Sequence, residues 1–310
     1  MELANKINNF IFPAPKFNYS QLNIYKDYLI HIPTQRKNKE KIEKIPCLFK
    51  KNEESQNILI IFHCNGADIF GIFSYIFNLI GKINVLIPEY PGYSIYESPL
   101  SSEKCLENTL IIYDFILNNI KNITEKNIYI LGRSLGTGPA IYLSSKRNPA
   151  GTFLISPYTT FAAVGKDFHN EEELKALSNH FRSIDYIDKI NNPLFIIHGK
   201  KDSLINYNEA IDLYEKARND IKKEIILDDN MTHNYGYHLL TEQIIPSMEQ
   251  FVDIYCPLKN NFEKNINENN KIKIDFSKEF YIIPDELKKY FGDSEEEELD
   301  LYFCVNKKDF

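Results

Sequence analysis

One stretch near the middle of the chain, residues 127–143, constrains the fold more than any other. A strand-length apolar run ends at Gly132, Ser134 follows in the pattern Gly-x-Ser-x-Gly, and a run of helical length begins directly afterwards. The order predicts a sharp strand-to-helix turn in which Gly132 and Gly136 leave room for neighbouring backbone. Ser134 is the candidate nucleophile, and we expect its Oγ to stand exposed above the sheet. The N–H of Leu135, at the helix N-terminus, is predicted to stabilise an oxyanion.

Apolar runs of strand length alternate with helix-length segments along most of the chain. They occupy residues 57–62, 83–87, 128–131, 151–155, 193–197 and 223–227. Continuous apolar runs are typical of parallel strands buried on both faces. The alternation therefore predicts an α/β fold with a mostly parallel sheet and helices on both faces. Ahead of it, residues 18–33 and 42–50 have the pattern of an antiparallel hairpin at a sheet edge.

Three of the segments between or after these strands are predicted to be helical. Residues 69–80 are rich in Ile and Phe, and residues 237–255 form a closing helix with a kink or restart at Pro246. Residues 103–122 carry one apolar stripe at helical spacing. This stripe consists of Leu106, Leu110, Tyr113, Leu117 and Ile120.

The composition of the chain changes after Cys256. Residues 257–271 are rich in Asn and Lys, and residues 294–300 form an acidic run. We therefore predict one α/β domain at residues 12–256. An acidic C-terminal extension at residues 257–310 is expected to be partly disordered or packed at an edge of the domain.

Charge and cysteine content exclude several classes of partner. The net charge is -7 and Lys and Arg are scattered, which disfavours nucleic acid and an anionic membrane surface as partners. The five cysteines show no Cys-x-x-Cys spacing, so no metal site or cofactor is predicted. Because no segment has the pattern of a signal peptide or of a membrane span, we expect a cytoplasmic protein.

A serine nucleophile needs a base within hydrogen-bond reach and a carboxylate that orients the base. In a sheet of this kind the acid and the base are expected on loops after later strands, in the order Ser, Asp or Glu, His. Asp202 follows the strand at residues 193–197, and His233 follows the last strand. Ser134, Asp202 and His233 are therefore the predicted catalytic triad.

Other candidates for these roles fit less well. Asp228 and Asp229 are rival acids, but they follow the same strand that serves His233, so Asp202 is preferred. His63 and His198 end strands and are predicted to hold loops through hydrogen bonds.

Six short motifs follow one another along the chain. They are Asn-Gly-Ala-Asp at 65–68, Tyr-Pro-Gly-Tyr at 90–93, Gly-Arg-Ser-Leu-Gly at 132–136, Ser-Pro-Tyr at 156–158, Ile-Ile-His-Gly at 196–199 with Asp202, and His233. In this order they resemble the α/β-hydrolase superfamily, in particular the alpha/beta hydrolase domain-containing protein 17 family of palmitoyl-protein thioesterases. The Phe-Pro-Ala-Pro segment at 12–15 also resembles the start of that family, so the likeness spans residues 12–256.

The resemblance implies the α/β-hydrolase fold and a serine hydrolase that cleaves acyl thioesters or esters. Its implied substrate is an acylated protein, in a palmitoyl-protein thioesterase-like depalmitoylation. Ser134, Asp202 and His233 would be nucleophile, acid and base, and the N–H groups of Leu135 and Asn65 would be the oxyanion donors. The short spacing between the strands at 151–155 and 193–197 independently predicts a small lid or none.

The chain departs from that family's pattern in four places. Cys64 stands where the family usually has glycine, Ser94 replaces a glycine, and Thr232 precedes His233 where glycine is usual. The N-terminal segment also lacks the cysteine cluster that family members use for their own palmitoylation. A peripheral position at membranes is therefore compatible with the sequence, but not through an N-terminal cysteine cluster.

Other functions remain open for the same residues. A carboxylesterase, a lysophospholipase or a serine peptidase could use the same triad, with an acyl ester or a peptide as substrate. A non-catalytic binding module that keeps the motif is the alternative from a different class. That alternative gains weight if Cys64 closes the oxyanion site.

Overall fold

The computed structural model of the protein describes residues 2–38, 41–52, 55–76, 83–120, 123–165 and 170–256. The predicted C-terminal extension at residues 257–310 lies outside this part of the chain. Within these ranges, no helix combines the length and the apolar composition that a membrane crossing requires.

The centre of the structure is an eight-stranded sheet. Its strands are β1 (Leu29–Asn38), β2 (Lys41–Lys50), β3 (Ile58–Phe62), β4 (Asn84–Pro88), β5 (Ile128–Arg133), β6 (Gly151–Ile155), β7 (Leu194–Gly199) and β8 (Lys223–Asp228). They lie in the order β1-β2-β4-β3-β5-β6-β7-β8. The strands from β3 to β8 pair in parallel, and β2 joins the sheet antiparallel to β4. The predicted mostly parallel sheet is confirmed.

The predicted edge hairpin is also confirmed, with a later start. β1 and β2 pair antiparallel at one end of the sheet. The first part of the predicted strand at residues 18–33 is instead a 3₁₀ helix, Tyr19–Tyr25. The Asn18 side chain accepts a hydrogen bond from the Ser20 N–H at 3.1 Å, and this local cap competes with extended backbone.

Helices cover both faces of the sheet, as predicted. They are α1 (Glu2–Ile11), α2 (Ile69–Ile76), α3 (Ser102–Asn119), α4 (Thr137–Lys146), α5 (Phe161–Gly165), α6 (Glu171–Leu177), α7 (Asn208–Lys216), α8 (Tyr237–Leu239) and α9 (Ile245–Tyr255). The end of the predicted helix at residues 69–80 lies outside the described residues, which stop at residue 76 before resuming at 83.

The closing helix is divided, and the predicted restart at Pro246 is confirmed. A π-helical segment, Leu240–Ile244, joins α8 to α9. Pro246 lies in the first turn of α9. Because a proline has no N–H, it ends the regular hydrogen-bond pattern of the preceding turn and fits best at the start of a new helix.

The buried face of α3 differs from the predicted stripe. Leu106, Leu110 and Leu117 are only partly buried, whereas Tyr113 and Ile120 are buried as expected. The most buried line along the helix includes Cys105, Thr109, Ile112 and Ile116. Polar residues are accepted on this face because they find partners: the Thr109 hydroxyl donates to the Leu106 carbonyl at 2.7 Å.

The N-terminal segment packs onto the domain ahead of the predicted boundary at residue 12. Ile7 and Ile11 of α1 are buried, and Phe12 contacts the rings of Tyr93 and Phe181. Burying a large apolar side chain contributes about 1.5–3 kcal/mol. Apolar burial therefore holds α1 against the α/β domain.

Candidate active site

The predicted turn after β5 is present and strained. Ser134 has φ 50°, in the left-handed region that non-glycine residues rarely adopt. The chain continues through a 3₁₀ turn, Ser134–Gly136, into α4. A Cβ on Gly136 would lie 2.0 Å from the Phe62 carbonyl oxygen, and one on Gly132 would lie 2.5 Å from the Gly136 oxygen. Both glycines are therefore required by close backbone approach.

The structure brings the three predicted triad residues together. His233 Nε2 lies 3.0 Å from Ser134 Oγ, and His233 Nδ1 lies 2.8 Å from Asp202 Oδ2. Asp202 follows β7 and His233 follows β8, at the carboxyl ends of neighbouring parallel strands. One continuous hydrogen-bonded chain thus links carboxylate, imidazole and hydroxyl, which is the geometry of nucleophilic catalysis.

The exposure of the serine differs from expectation. Ser134 retains only 4% of its accessible surface, and the side chain of His233 retains 11%. The hydroxyl is therefore recessed rather than standing exposed above the sheet.

Asp202 is held as a carboxylate by several donors. Its Oδ1 accepts hydrogen bonds from the N–H groups of Leu204 at 2.9 Å and Ile205 at 2.8 Å. Burial raises the pKa of Asp202, but the hydrogen bonds from His198 and His233 outweigh it, so the pKa lies well below its usual range. Because an ionised Asp202 accepts a hydrogen bond from Nδ1–H of His233, the unprotonated Nε2 is the ring nitrogen that faces Ser134 Oγ.

The other two strand-ending histidines hold loops, as predicted. His63 Nδ1 lies 2.9 Å from the Cys64 carbonyl oxygen, and His63 Nε2 lies 3.2 Å from Glu89. His198 Nε2 lies 3.0 Å from the Ile205 carbonyl oxygen. The same nitrogen is 3.3 Å from Asp202 Oδ2, a contact with the triad that the sequence reasoning missed.

The rival carboxylates serve the loop after β8. Asp228 accepts hydrogen bonds from the N–H groups of Asn230 and Met231 at 2.8 and 2.6 Å. Asp229 pairs with Lys200 at 2.7 Å. The carboxylate that contacts His233 is that of Asp202.

The loop that carries Asn65 lies beside the serine turn. β3 and β5 are parallel neighbours with Phe62 opposite Gly132, so the residues after each strand emerge side by side. The Tyr93 hydroxyl donates to the Asn65 carbonyl at 2.7 Å and thereby fixes the plane of the following peptide. Leu135 is buried at the start of the helical turn. The oxyanion roles of the Asn65 and Leu135 N–H groups stay a prediction.

Sequence reasoning also passed over Arg133, the variable residue before the serine. Its Nη2 donates to the His233 carbonyl at 3.1 Å and its Nη1 to Cys64 Sγ at 3.4 Å. The guanidinium carbon lies 4.7 Å from the centre of the Tyr235 ring. Burial raises the pKa of Tyr235 to about 12, so this ring is a neutral phenol. Only the position of Arg133 inside the Gly-x-Ser-x-Gly pattern could have drawn attention to it.

Across the described ranges, no group of three or more His, Cys, Asp or Glu side chains is arranged to hold a metal ion.

Known proteins with similar sequences include α/β hydrolases. The chain is 29% identical over 243 residues to a putative alpha/beta hydrolase of Acanthamoeba polyphaga mimivirus, covering 77% of this chain and 89% of that protein. It is 28% identical over 203 residues to alpha/beta hydrolase domain-containing protein 17B of Homo sapiens, covering 63% and 68%. No protein-family model matches the chain.

Solved structures with the same fold include esterases. An esterase from Pyrococcus furiosus superposes with a TM-score of 0.59 at 18% identity, covering 79% of this chain and 98% of that one. A lipase-esterase related protein from Clostridium acetobutylicum gives a TM-score of 0.52 at 17% identity, covering 67% and 99%. At this level of identity the likeness establishes the α/β-hydrolase fold.

Proposed function

We propose that the chain, which has the α/β-hydrolase fold and α/β hydrolases among its relatives, is a serine hydrolase that cleaves acyl thioesters and esters. The observation that carries the proposal is the unbroken chain of hydrogen bonds from Asp202 through His233 to Ser134, at 2.8 and 3.0 Å. Such a chain activates a hydroxyl that is otherwise a weak nucleophile. The strained backbone of Ser134 is a second sign of a functional position.

The proposed reaction has two halves. Ser134 Oγ attacks the acyl carbonyl while His233 Nε2 takes its proton, and the tetrahedral intermediate expels the thiol or alcohol, which receives that proton. Water then attacks the acyl-serine, again with His233 as base, and releases the carboxylic acid and the free serine. Asp202 keeps the imidazole in the productive tautomer and stabilises its protonated form.

The N–H groups of Leu135 and Asn65 are the proposed oxyanion donors. Removing one such donor typically raises the barrier by about 2.7–4 kcal/mol. The contact of Tyr93 with the Asn65 carbonyl supports this role, because it orients the loop without using the donors themselves. Cys64 lies on the same loop with its thiol directed to Arg133, 3.4 Å away.

The proposed substrate is an acyl group carried on another protein. The described residues between β6 and β7 form only short helices, α5 and α6, and two 3₁₀ turns. A thioester also suits this site, because a cysteine leaving group with a pKa near ~8.5 departs without the strong acid assistance that an amide nitrogen requires. The resemblance to the alpha/beta hydrolase domain-containing protein 17 family also supports an acylated protein as the substrate.

The recessed serine favours a second candidate, a carboxylesterase of small acyl esters. Ser134 is only 4% exposed, and a small ester brings less bulk past the surrounding loops than an acylated protein does. The two candidates share the chemistry and differ in what lies beyond the scissile bond.

The deciding experiment compares purified protein on an S-palmitoylated peptide, the matching O-ester, the matching amide and a short-chain aryl ester. Thioester cleavage with the highest kcat/KM, absent from Ser134→Ala, is the expected result. Aryl-ester cleavage with no turnover of the acylated peptide would assign a carboxylesterase instead. Cleavage of the amide that is faster than cleavage of the S-palmitoylated peptide and of the matching O-ester would indicate a peptidase. No turnover of any substrate would favour a binding module.

A further inference from the structure

Arg133 contacts two of the loops that surround the serine. It ends β5, directly before Ser134, and has extended backbone with φ −122° and ψ 129°. One arm of its guanidinium donates to the His233 carbonyl on the loop after β8, and the other donates to Cys64 Sγ on the loop after β3. The side chain therefore bridges positions that are 100 and 69 residues away in sequence.

The loop that carries His233 has little regular structure of its own. Residues 229–236 lie between the end of β8 and the start of α8 and form neither helix nor strand. The imidazole must nevertheless keep both of its nitrogens within hydrogen-bond distance of Asp202 and Ser134. A bond to the His233 carbonyl fixes the peptide plane from which this side chain projects.

The ring of Tyr235 strengthens the same attachment. The Arg133 guanidinium lies over its face at 4.7 Å, within the range of a cation–π contact. Two residues of one loop, His233 and Tyr235, thus contact a single planar cation. A guanidinium has the forked geometry to do this, and a lysine ammonium does not.

We propose that Arg133 is a positioning residue that sets the place of His233 relative to Ser134 by joining the His233 loop to the serine turn. The inference rests on the proposed function for its kinetic consequence. It does not place Arg133 in contact with substrate. A misplacement of about 1 Å can lower the rate about 100-fold, so the effect falls on kcat.

The test compares Arg133→Met and Arg133→Lys with wild type and with a control, Arg147→Met. Arg147 forms a partly exposed pair with Asp114 at 2.6 Å, away from the triad. For Arg133→Met we expect kcat to fall about 10- to 100-fold with KM within about twofold of wild type. Arg133→Lys keeps the charge and should lose several-fold in kcat, while Arg147→Met should match wild type.

Two further readouts separate positioning from general stability. Guanidinium ion added to Arg133→Ala should restore part of kcat, and it should restore nothing in Ser134→Ala. Hydrogen exchange in peptides covering residues 229–236 should be faster in Arg133→Met and unchanged in Arg147→Met, whether or not a substrate is known. This second readout does not depend on the proposed function.

The outcomes are distinct. Wild-type kcat in both Arg133→Met and Arg133→Lys would overturn the inference and leave the hydrolase proposal standing. Unchanged exchange at residues 229–236 would overturn it as well. A wild-type protein without hydrolytic activity would contradict the proposed function, and the exchange result would still decide the role of Arg133. If Arg133→Met does not fold, Arg133→Lys carries the test, through its kcat and through hydrogen exchange at residues 229–236.

Discussion

Replacing Gly136 by alanine tests the packing of the serine turn. Gly136 has φ −63° and ψ −15°, which alanine adopts without strain. From local conformation alone, this change should stabilise the protein by about 0.4–1 kcal/mol. The structure predicts the opposite sign, because the added Cβ would lie 2.0 Å from the Phe62 carbonyl oxygen and 2.8 Å from that of His63.

The size of the effect follows from these distances. An ordinary contact begins at 3.4 Å, so the gap between the turn and β3 must open by about 1.4 Å. The obstructing atoms are main-chain atoms and cannot rotate away. Overpacking typically costs about 1–3 kcal/mol, and we expect about 3 kcal/mol for Gly136→Ala. At about 2–4 °C per kcal/mol, the melting temperature should fall by about 6–12 °C.

The rate should fall as well, because β3 leads into the loop that carries Asn65. A displacement of about 1 Å between that loop and Ser134 predicts a loss of about 100-fold in ester hydrolysis. Gly66→Ala is the matched control, since its Cβ would meet nothing within 4 Å. Thermal unfolding and hydrolysis of a short-chain ester measure both effects. A Gly136→Ala protein with wild-type melting temperature and rate would refute the reasoning.

Two further predictions concern charge. Asp202→Asn should fold but lose about 10⁴-fold in kcat through the wrong His233 tautomer, measured by ester hydrolysis. The pKa of Asp202 is lower in the folded protein than in the unfolded chain, so its contribution to stability is present above pH ~3.9 and is lost as the pH falls further. Below pH ~3.9, the difference in unfolding free energy between wild type and Asp202→Asn should therefore shrink. Burial lowers the pKa of His31 from 6.5 to about 4. As the pH falls, His31 therefore takes up a proton in the unfolded chain before it does so in the folded protein. Between pH 6.5 and about 4, the free energy of unfolding should fall by about 3 kcal/mol more in wild type than in His31→Gln, as measured by denaturant titration. Equal losses in the two proteins would contradict this.

The parts of the site that sequence predicted are those that chemistry ties to a motif. The glycines on either side of Ser134 identify it in the sequence. The structure explains Gly136, because this residue lies too close to the Phe62 carbonyl for a Cβ to fit. Asp202 and His233 were marked by their order and by their places after apolar strands. Parallel strands end at one edge of the sheet, so the spatial meeting of the three follows from the topology.

Contacts between long side chains were beyond the reach of the sequence. The bond from Arg133 to the His233 carbonyl joins residues 100 positions apart and uses a main-chain acceptor that every residue possesses. The contact of His198 with Asp202 depends on the conformation of the loop after β7. The recessed position of Ser134 is likewise a property of how loops close around it, which no local pattern encodes.

The prediction of secondary structure from the sequence was wrong where local and tertiary preferences compete. The 3₁₀ helix Tyr19–Tyr25 has the apolar spacing of a strand but is started by the Asn18 cap. In α3, the helical periodicity predicted that a stripe containing three leucines is the buried face, but the most buried line of the helix includes Cys105 and Thr109. Tertiary packing selects among several faces that a mixed helix offers, and periodicity alone cannot rank them.

The proposed reaction requires that Ser134 be an activated nucleophile. Incubation with a fluorophosphonate, followed by mass spectrometry of the digested protein, reports this without any assumption about substrate. We predict one adduct, on Ser134, which is absent from Ser134→Ala and forms far more slowly in Asp202→Asn. No adduct on the wild-type protein, or full labelling of Ser134→Ala at another residue, would contradict the central claim.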